Sequence, residues 1–249
     1  DKNIIKKIAE IGKINKNDVV LEVGPGTGNL TEKILQEKPK KLIVVEKDTI
    51  LANNLLKKYG KKIIIINNDI LNIIEEELSN NQMIIFGNLP YNISTQILAK
   101  WIKNKNLNSV SKRFILMVQK EVADRITADV NEKNYGRLSI LSSWRMKIKK
   151  IAEINPGSFY PSPKVKSTIL FLEPKINFFK IKNPINLEYI TRVFFNERRK
   201  MIKKPLKKIF NKNMDQICKK LKINLNLRPQ NLSPLLYLRI CHEYENLVE

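Results

Sequence analysis

The chain has 249 residues, enough for one large core and a small second one, and its 46 Lys and Arg against 24 Asp and Glu leave a formal net charge of +22. No apolar run is as long as a membrane span, no signal peptide is visible, and Cys218 and Cys241 form no close-spaced redox or metal pattern. A reduced cytosolic protein with an acidic partner, nucleic acid first, is expected, although a chain this rich in Lys, Asn and Ile is also what AT-rich coding produces, so only the placement of charge informs.

Ile4, Ile5, Ile8 and Ile11 form a helical stripe over residues 3–12. The strand Asp18–Val23 then runs into Gly24-Pro25-Gly26-Thr27-Gly28, a strand-to-helix turn that lets a ligand approach the backbone closely. Its spacing is G-x-G-x-G, and Asn29 stands where a dinucleotide binder has its last glycine, which argues against nicotinamide. The second strand, Leu42–Val45, ends at Glu46, where an acid can bind two ribose hydroxyls; a solvated Glu beside Lys47 is the plainer alternative. A helix is predicted over residues 48–58. The third strand, Ile63–Ile66, leads to Asp69, which can accept from an adenine amine or simply cap a helix over residues 71–77.

A fourth strand, Met83–Phe86, leads to Asn88-Leu89-Pro90-Tyr91, after which Ser94 or Thr95 can cap a helix burying Ile97, Leu98, Trp101 and Ile102. The Asn88 amide oxygen and the carbonyl of Leu89 or Pro90 can accept from one exocyclic NH2, and Tyr91 can stack on the ring carrying it. Alone, the tetrapeptide reads equally well as an ordinary turn. Gly24, Glu46, Asp69 and Asn88, however, all sit at the carboxyl ends of strands, where open α/β sheets bind ligands. Together they describe a crevice for a nucleoside-containing cofactor beside an amine-holding turn.

Phe114–Val118 is an apolar fifth strand, and residues 147–154 and 165–173 read as a final hairpin with Pro156–Pro163 between them. These seven strands predict an α/β fold, an open sheet with its last strand antiparallel, spanning residues 1–175. Helical stripes follow, Leu187/Ile190/Val193/Phe194 and Ile202/Leu206/Ile209/Phe210, predicting a small all-helical domain over residues 176–249. Its cations Arg198, Arg199, Lys200, Lys203, Lys204, Lys207 and Lys208 include two like-charged i,i+4 pairs, which oppose the helix and point to a polyanion; a solvated lysine face is the alternative. His242 reads as a surface or packing residue, and no cluster of metal ligands stands out.

Glu22-Val23-Gly24-Pro25-Gly26-Thr27-Gly28, Glu46, Asp69 and Asn88–Tyr91 resemble a class I S-adenosylmethionine-dependent methyltransferase acting on an exocyclic amine. Gln119–Arg125, Tyr135-Gly136-Arg137-Leu138-Ser139, Phe159–Val165 and Asn196-Glu197-Arg198-Arg199-Lys200 narrow this to the KsgA family of rRNA adenine N6,N6-dimethyltransferases, over essentially the whole chain. Lys166 departs from that family's usual Asp or Asn, and the family's opening basic segment with Gly-Gln-Asn-Phe-Leu is expected upstream of Asp1.

The resemblance implies that S-adenosylmethionine is held by Gly24, Gly26, Gly28, Glu46, Asp69, Ile70 and Asn88. Asn88, Leu89, Pro90, Tyr91 and Phe159 would hold the target base, with Tyr91 and Phe159 as an aromatic clamp; Phe159 on residue type alone is equally a core plug. It further implies two adjacent adenosines in the 3′-terminal hairpin loop of 16S rRNA as substrate, a pre-30S particle as partner, a monomer, and neither metal nor membrane. The rival readings are the large-subunit adenine methyltransferase of macrolide resistance and a non-catalytic assembly factor on the same fold. The Tyr135–Ser139 and Asn196–Lys200 words argue against the first, and the intact set Gly24–Gly28, Glu46, Asp69 and Asn88 against the second.

Overall fold

The apolar runs at residues 19–23, 42–45, 83–86 and 114–118 are buried on both faces, as a parallel strand covered by helices requires, while the run at 64–66, at the sheet edge, is half-buried to exposed. The computed structural model describes residues 2–158 and 165–248. Helix α1 (Lys2–Ile11) precedes β1 (Val19–Val23), α2 (Asn29–Gln36), β2 (Lys41–Glu46), α3 (Thr49–Tyr59) and β3 (Ile64–Asn67). Then come β4 (Met83–Asn88), α4 (Ser94–Lys103), the short α5 (Leu107–Val110), β5 (Ser111–Gln119) and α6 (Lys120–Thr127). The chain continues through α7 (Arg137–Arg145), β6 (Met146–Ile154) and β7 (Ser167–Pro174). Four more helices follow: α8 (Pro184–Phe195), α9 (Lys203–Phe210), α10 (Met214–Leu221) and α11 (Pro234–Val248).

The sheet has seven strands in the order β3-β2-β1-β4-β5-β7-β6. β1 to β5 run parallel, and β7 is antiparallel to both β5 and β6. Strand order reverses beside β1, whose neighbours are β2 and β4, so the carboxyl ends of β1 and β4 open at the switch point where such sheets take ligands. Val20, Val44, Ile84, Phe86 and Ile115 form the centre of the core, with Ile34 and Leu55 packing from the flanking helices. Gly12 is needed for close approach, because a Cβ there would lie 2.3 Å from the Phe86 ring.

Two expectations about local structure are corrected. No α-helix forms over residues 71–77; two 3₁₀ turns, Ile70–Asn72 and Glu75–Glu77, take its place, with Ile73 extended between them. Helix α4 is not capped by Ser94 or Thr95. Its cap residue is Ile93, without a side-chain bond, and Ser94 Oγ instead donates to the Tyr91 carbonyl at 3.3 Å.

The chain forms two compact units, one comprising residues up to Ala123 with Met146–Ile176, the other Asp124–Arg145 with the chain from Asn177 onward. A single break after residue 175 does not describe this, because α7 groups with the C-terminal helices. Within that second unit Tyr135 Oη donates to the Leu232 carbonyl at 2.8 Å and Trp144 Nε1 to the Phe179 carbonyl at 2.8 Å. Among the described residues no helix is long and apolar enough to cross a membrane.

Candidate active site

The turn after β1 places Gly24, Gly26 and Gly28 at φ of 67°, 56° and 82°, the left-handed region that other residues occupy only under strain. Gly24 N–H donates to the Val45 carbonyl at 3.0 Å, which ties the turn to β2, and Tyr59 Oη donates to the Gly28 carbonyl at 2.7 Å. A Cβ on Gly28 would lie 2.6 Å from Leu55 Cδ2, so the turn is closely seated against α3. Helix α2 starts immediately after it, and its amino end adds a positive dipole.

Glu46, buried at the end of β2, accepts from Gly26 N–H at 3.2 Å and from Asp48 N–H at 2.9 Å. Asn67 at the end of β3 donates to the Glu46 carbonyl at 2.8 Å. Asp69 then takes up the Lys47 ammonium at 2.9 Å and caps the 3₁₀ turn through Leu71 N–H at 2.9 Å. The Leu71 N–H first, and Lys47 second, hold the Asp69 carboxyl below its ordinary pKa. The capping role foreseen for Asp69 is thus present, at the same strand end as the proposed adenine role.

Asn88 is exposed at the end of β4, while Leu89 is buried and its N–H donates to the Met117 carbonyl of β5 at 3.1 Å. Pro90 is exposed and its carbonyl accepts from Ile93 N–H at 3.2 Å. Tyr91 is 36% exposed, and its hydroxyl is 3.0 Å from Ser167 Oγ at the start of β7. The hydroxyl end of the ring is therefore tied to β7 while the residue stays partly exposed.

A cavity of about 340 Å³ joins the glycine turn to Asn88. Its polar wall includes Glu22, Gly24, Gly26, Thr27, Asn88 and Ser158, and its apolar wall includes Ile4, Ile5 and Ile8 of α1 with Leu116 and Met117 of β5. Glu46 reaches the lining only through its bond from Gly26 N–H, and Asp69 and Ile70, which follow the neighbouring strand β3, do not line the cavity. Glu22 was visible only as a letter of the glycine word. It is 1% exposed and accepts from Thr31 Oγ1 at 2.7 Å; burial pushes its carboxyl up to about 7, against the hydrogen bond from Thr31, with a smaller contribution from Glu46.

These residues fit S-adenosylmethionine. The turn lacks a Cβ at Gly24 and Gly26, which line the cavity, so a ligand can approach its backbone closely, and an acid stands at the second strand end, where a ribose diol needs one. Among the described residues no group of His, Cys, Asp or Glu is arranged to hold a metal ion.

Over residues 1–246 the sequence matches the ribosomal RNA adenine dimethylase family. The chain belongs to that family. A relative from Pelagibacter ubique, named ribosomal RNA small subunit methyltransferase A, is 54% identical over 99% of this chain and 94% of its own. A protein of the same name from a Wolbachia of Drosophila simulans is 40% identical over 92% and 84%. A solved dimethyladenosine transferase from Plasmodium falciparum superposes with a TM-score of 0.82 at 28% identity, over 99% and 96% of the chains. The 23S rRNA methyltransferase ErmE shares the fold, with a TM-score of 0.70 at 20% identity over 99% and 98%.

In this adenine dimethylase the Asn196–Lys200 word reaches the residues just ahead of the Tyr135–Ser139 word, inside the second unit. Arg198 donates to the Lys133 carbonyl at 2.7 Å and the Glu132 carbonyl at 3.3 Å, just before Tyr135. Ser139 Oγ donates to the Arg125 carbonyl at 2.7 Å and accepts from Gly136 N–H at 3.1 Å. Of the seven cations, Arg198 is half-buried, Lys204 pairs with Glu197 at 2.5 Å, and Arg199, Lys200, Lys203, Lys207 and Lys208 are exposed. Phe159 lies outside the described residues. His242 is exposed, edge-on to the Phe179 ring at 6.0 Å.

Proposed function

We propose that this rRNA adenine dimethylase transfers two methyl groups from S-adenosylmethionine to N6 of each of two adjacent adenosines in the 3′-terminal hairpin loop of 16S rRNA. It would act as a monomer in the cytoplasm, on a pre-30S particle. The observation carrying this reading is the cavity shared by the glycine turn and Asn88, at the ends of adjacent strands paired Val23 to Gly87. S-adenosylmethionine supplies an electrophilic methyl on a sulfonium, so positioning is the protein's main task.

Gly24, Gly26 and Gly28 admit the cofactor to the backbone, Glu46 takes the ribose, and Asp69 with Ile70 takes the adenine. The target adenosine leaves its stack at a cost of about a few kcal/mol. Tyr91, partly exposed, would stack on the base, worth roughly 1–3 kcal/mol, and Phe159 is proposed as the opposite face. Asn88 and the Leu89 carbonyl orient the N6 lone pair; the Pro90 carbonyl is already engaged by Ile93 N–H. Among the cations, Arg199, Lys200, Lys203, Lys207 and Lys208 take phosphates, while Arg198 and Lys204 have partners within the chain.

The test is to label 30S particles lacking these methyl groups with radioactive cofactor and map the product. N6,N6-dimethyladenosine at two adjacent positions of that loop is the expected result. Label in 23S rRNA, or none, overturns the reading.

A further inference from the structure

Most lysines of this chain are on its surface, but Lys100 of α4 is three-quarters buried on its side chain. Its ammonium has three N–H groups and three acceptors: the Ile70 carbonyl at 2.9 Å, the Ile73 carbonyl at 2.5 Å and Glu75 Oε1 at 2.5 Å. Glu75, with a side chain only 3% exposed, also accepts from Trp101 Nε1 at 2.7 Å. Consecutive residues of one helix thus clasp a single buried carboxylate while Lys100 grips the backbone on either side of the extended Ile73. A charge held in this way is fixed in direction as well as distance, because every donor is used.

The two segments joined are those that present the two halves of the site proposed above. Ile70 follows Asp69 and opens the 3₁₀ turn that Asp69 caps. Helix α4 begins three residues after Tyr91, and Ser94 at its start bonds back to the Tyr91 carbonyl. Resting on that reading, we infer that Lys100, with Glu75, is a positioning residue that sets the spacing between the adenine end of the cofactor and the turn that holds the target amine. It touches neither substrate nor cofactor. Releasing it lets the Ile70–Ile73 segment and α4 move independently, so cofactor affinity and methyl transfer fall together.

The test compares wild type with Lys100→Met and with the pair Glu75→Gln/Lys100→Met, in which the glutamine oxygen keeps the Trp101 bond and no unpaired charge is left buried. Calorimetry with S-adenosylhomocysteine gives the affinity. Single-turnover methylation of undermodified 30S particles at saturating cofactor gives the transfer rate per folded molecule. In each folded variant we expect affinity to fall about tenfold, as for one lost charge-assisted hydrogen bond, and transfer to slow by about 10²-fold, as for a misplaced reacting group. If either constant stays at the wild-type value in a folded variant, or if neither variant folds, the cluster only holds the fold together and the inference is overturned. A wild-type protein that transfers no methyl to the particles is a different result: it refutes the functional reading itself, and it is read without any variant.

Discussion

Asn88 stands exposed at the end of a buried strand, so its side chain adds little to the core and its loss should spare the fold. Asn88→Ala is expected to slow methylation by about 10²–10³, the usual consequence of removing one positioned polar group, with cofactor affinity in calorimetry unchanged. A variant that turns over at the wild-type rate would make the Asn-Leu-Pro-Tyr turn purely structural. Glu22 is the opposite case, a buried carboxyl in the cavity wall, bonded by Thr31. Its pKa is raised from 4.5 to about 7 on folding, so the folded state holds the proton more tightly than the unfolded chain. That contribution is fully present below pH 4.5 and is lost as pH rises through about 7, roughly 3 kcal/mol in all by linkage. Melting temperatures recorded from pH 5 to pH 8 should fall in wild type and fall less in Glu22→Gln, which keeps an acceptor for Thr31; parallel curves would refute this account. The strand-end residues Glu46 and Asp69 were legible because a polar letter ending an apolar run marks a sheet edge. Glu22 was not, because a mid-strand acid betrays neither its burial nor its Thr31 partner.

Helix α9 shows how far an apolar period reaches. Of the predicted stripe Ile202, Leu206 and Phe210 are buried and Ile209 is half-buried, and Lys203, Lys204, Lys207 and Lys208 are exposed. Replacing those four lysines with Gln should weaken binding to 30S particles and flatten log affinity against log salt by roughly two to three, from Lys203, Lys207 and Lys208, since Lys204 is paired with Glu197. Binding measured at several salt concentrations separates this from a merely solvated face, which leaves the slope unchanged. Arg198, alike in sequence, should behave otherwise. Its guanidinium is engaged by the Glu132 and Lys133 carbonyls, so Arg198→Ala is expected to cost about 1–2 kcal/mol of stability in denaturant melts with the salt slope intact. The stretch 71–77 failed as a helix for a reason no local pattern carries: the Ile70 and Ile73 carbonyls are turned toward Lys100, and Ile73 is extended.

The division of the molecule bears on how it can be cut. A chain ending at Pro174 would keep α7 but lose the Leu232 and Phe179 carbonyls that receive Tyr135 and Trp144, and the aromatic neighbours Phe178 and Phe195. Such a fragment should bind a hydrophobic dye and melt without a cooperative transition, since buried donors without acceptors are costly. A fragment also lacking residues 124–145 has neither donor, and a sharp melt of the longer fragment would contradict this account.

The seven strands and the glycine turn could be read from the letters because their causes are local. A parallel strand covered on both faces must be a continuous apolar run, and three left-handed backbone positions in five residues call for glycine. The order of the polar strand ends followed, since a right-handed crossover brings successive ends to one edge. What could not be read were the contacts that position those ends: Lys100 on Glu75, Tyr59 on Gly28, Tyr91 on Ser167 and Tyr135 on Leu232, separated by 25, 31, 76 and 97 residues. The same holds for the allegiance of α7 to the C-terminal helices. A hydrogen bond requires two groups within about 3 Å, and that distance exists only after the sheet and helices have packed, so no periodicity in either partner's own segment announces it.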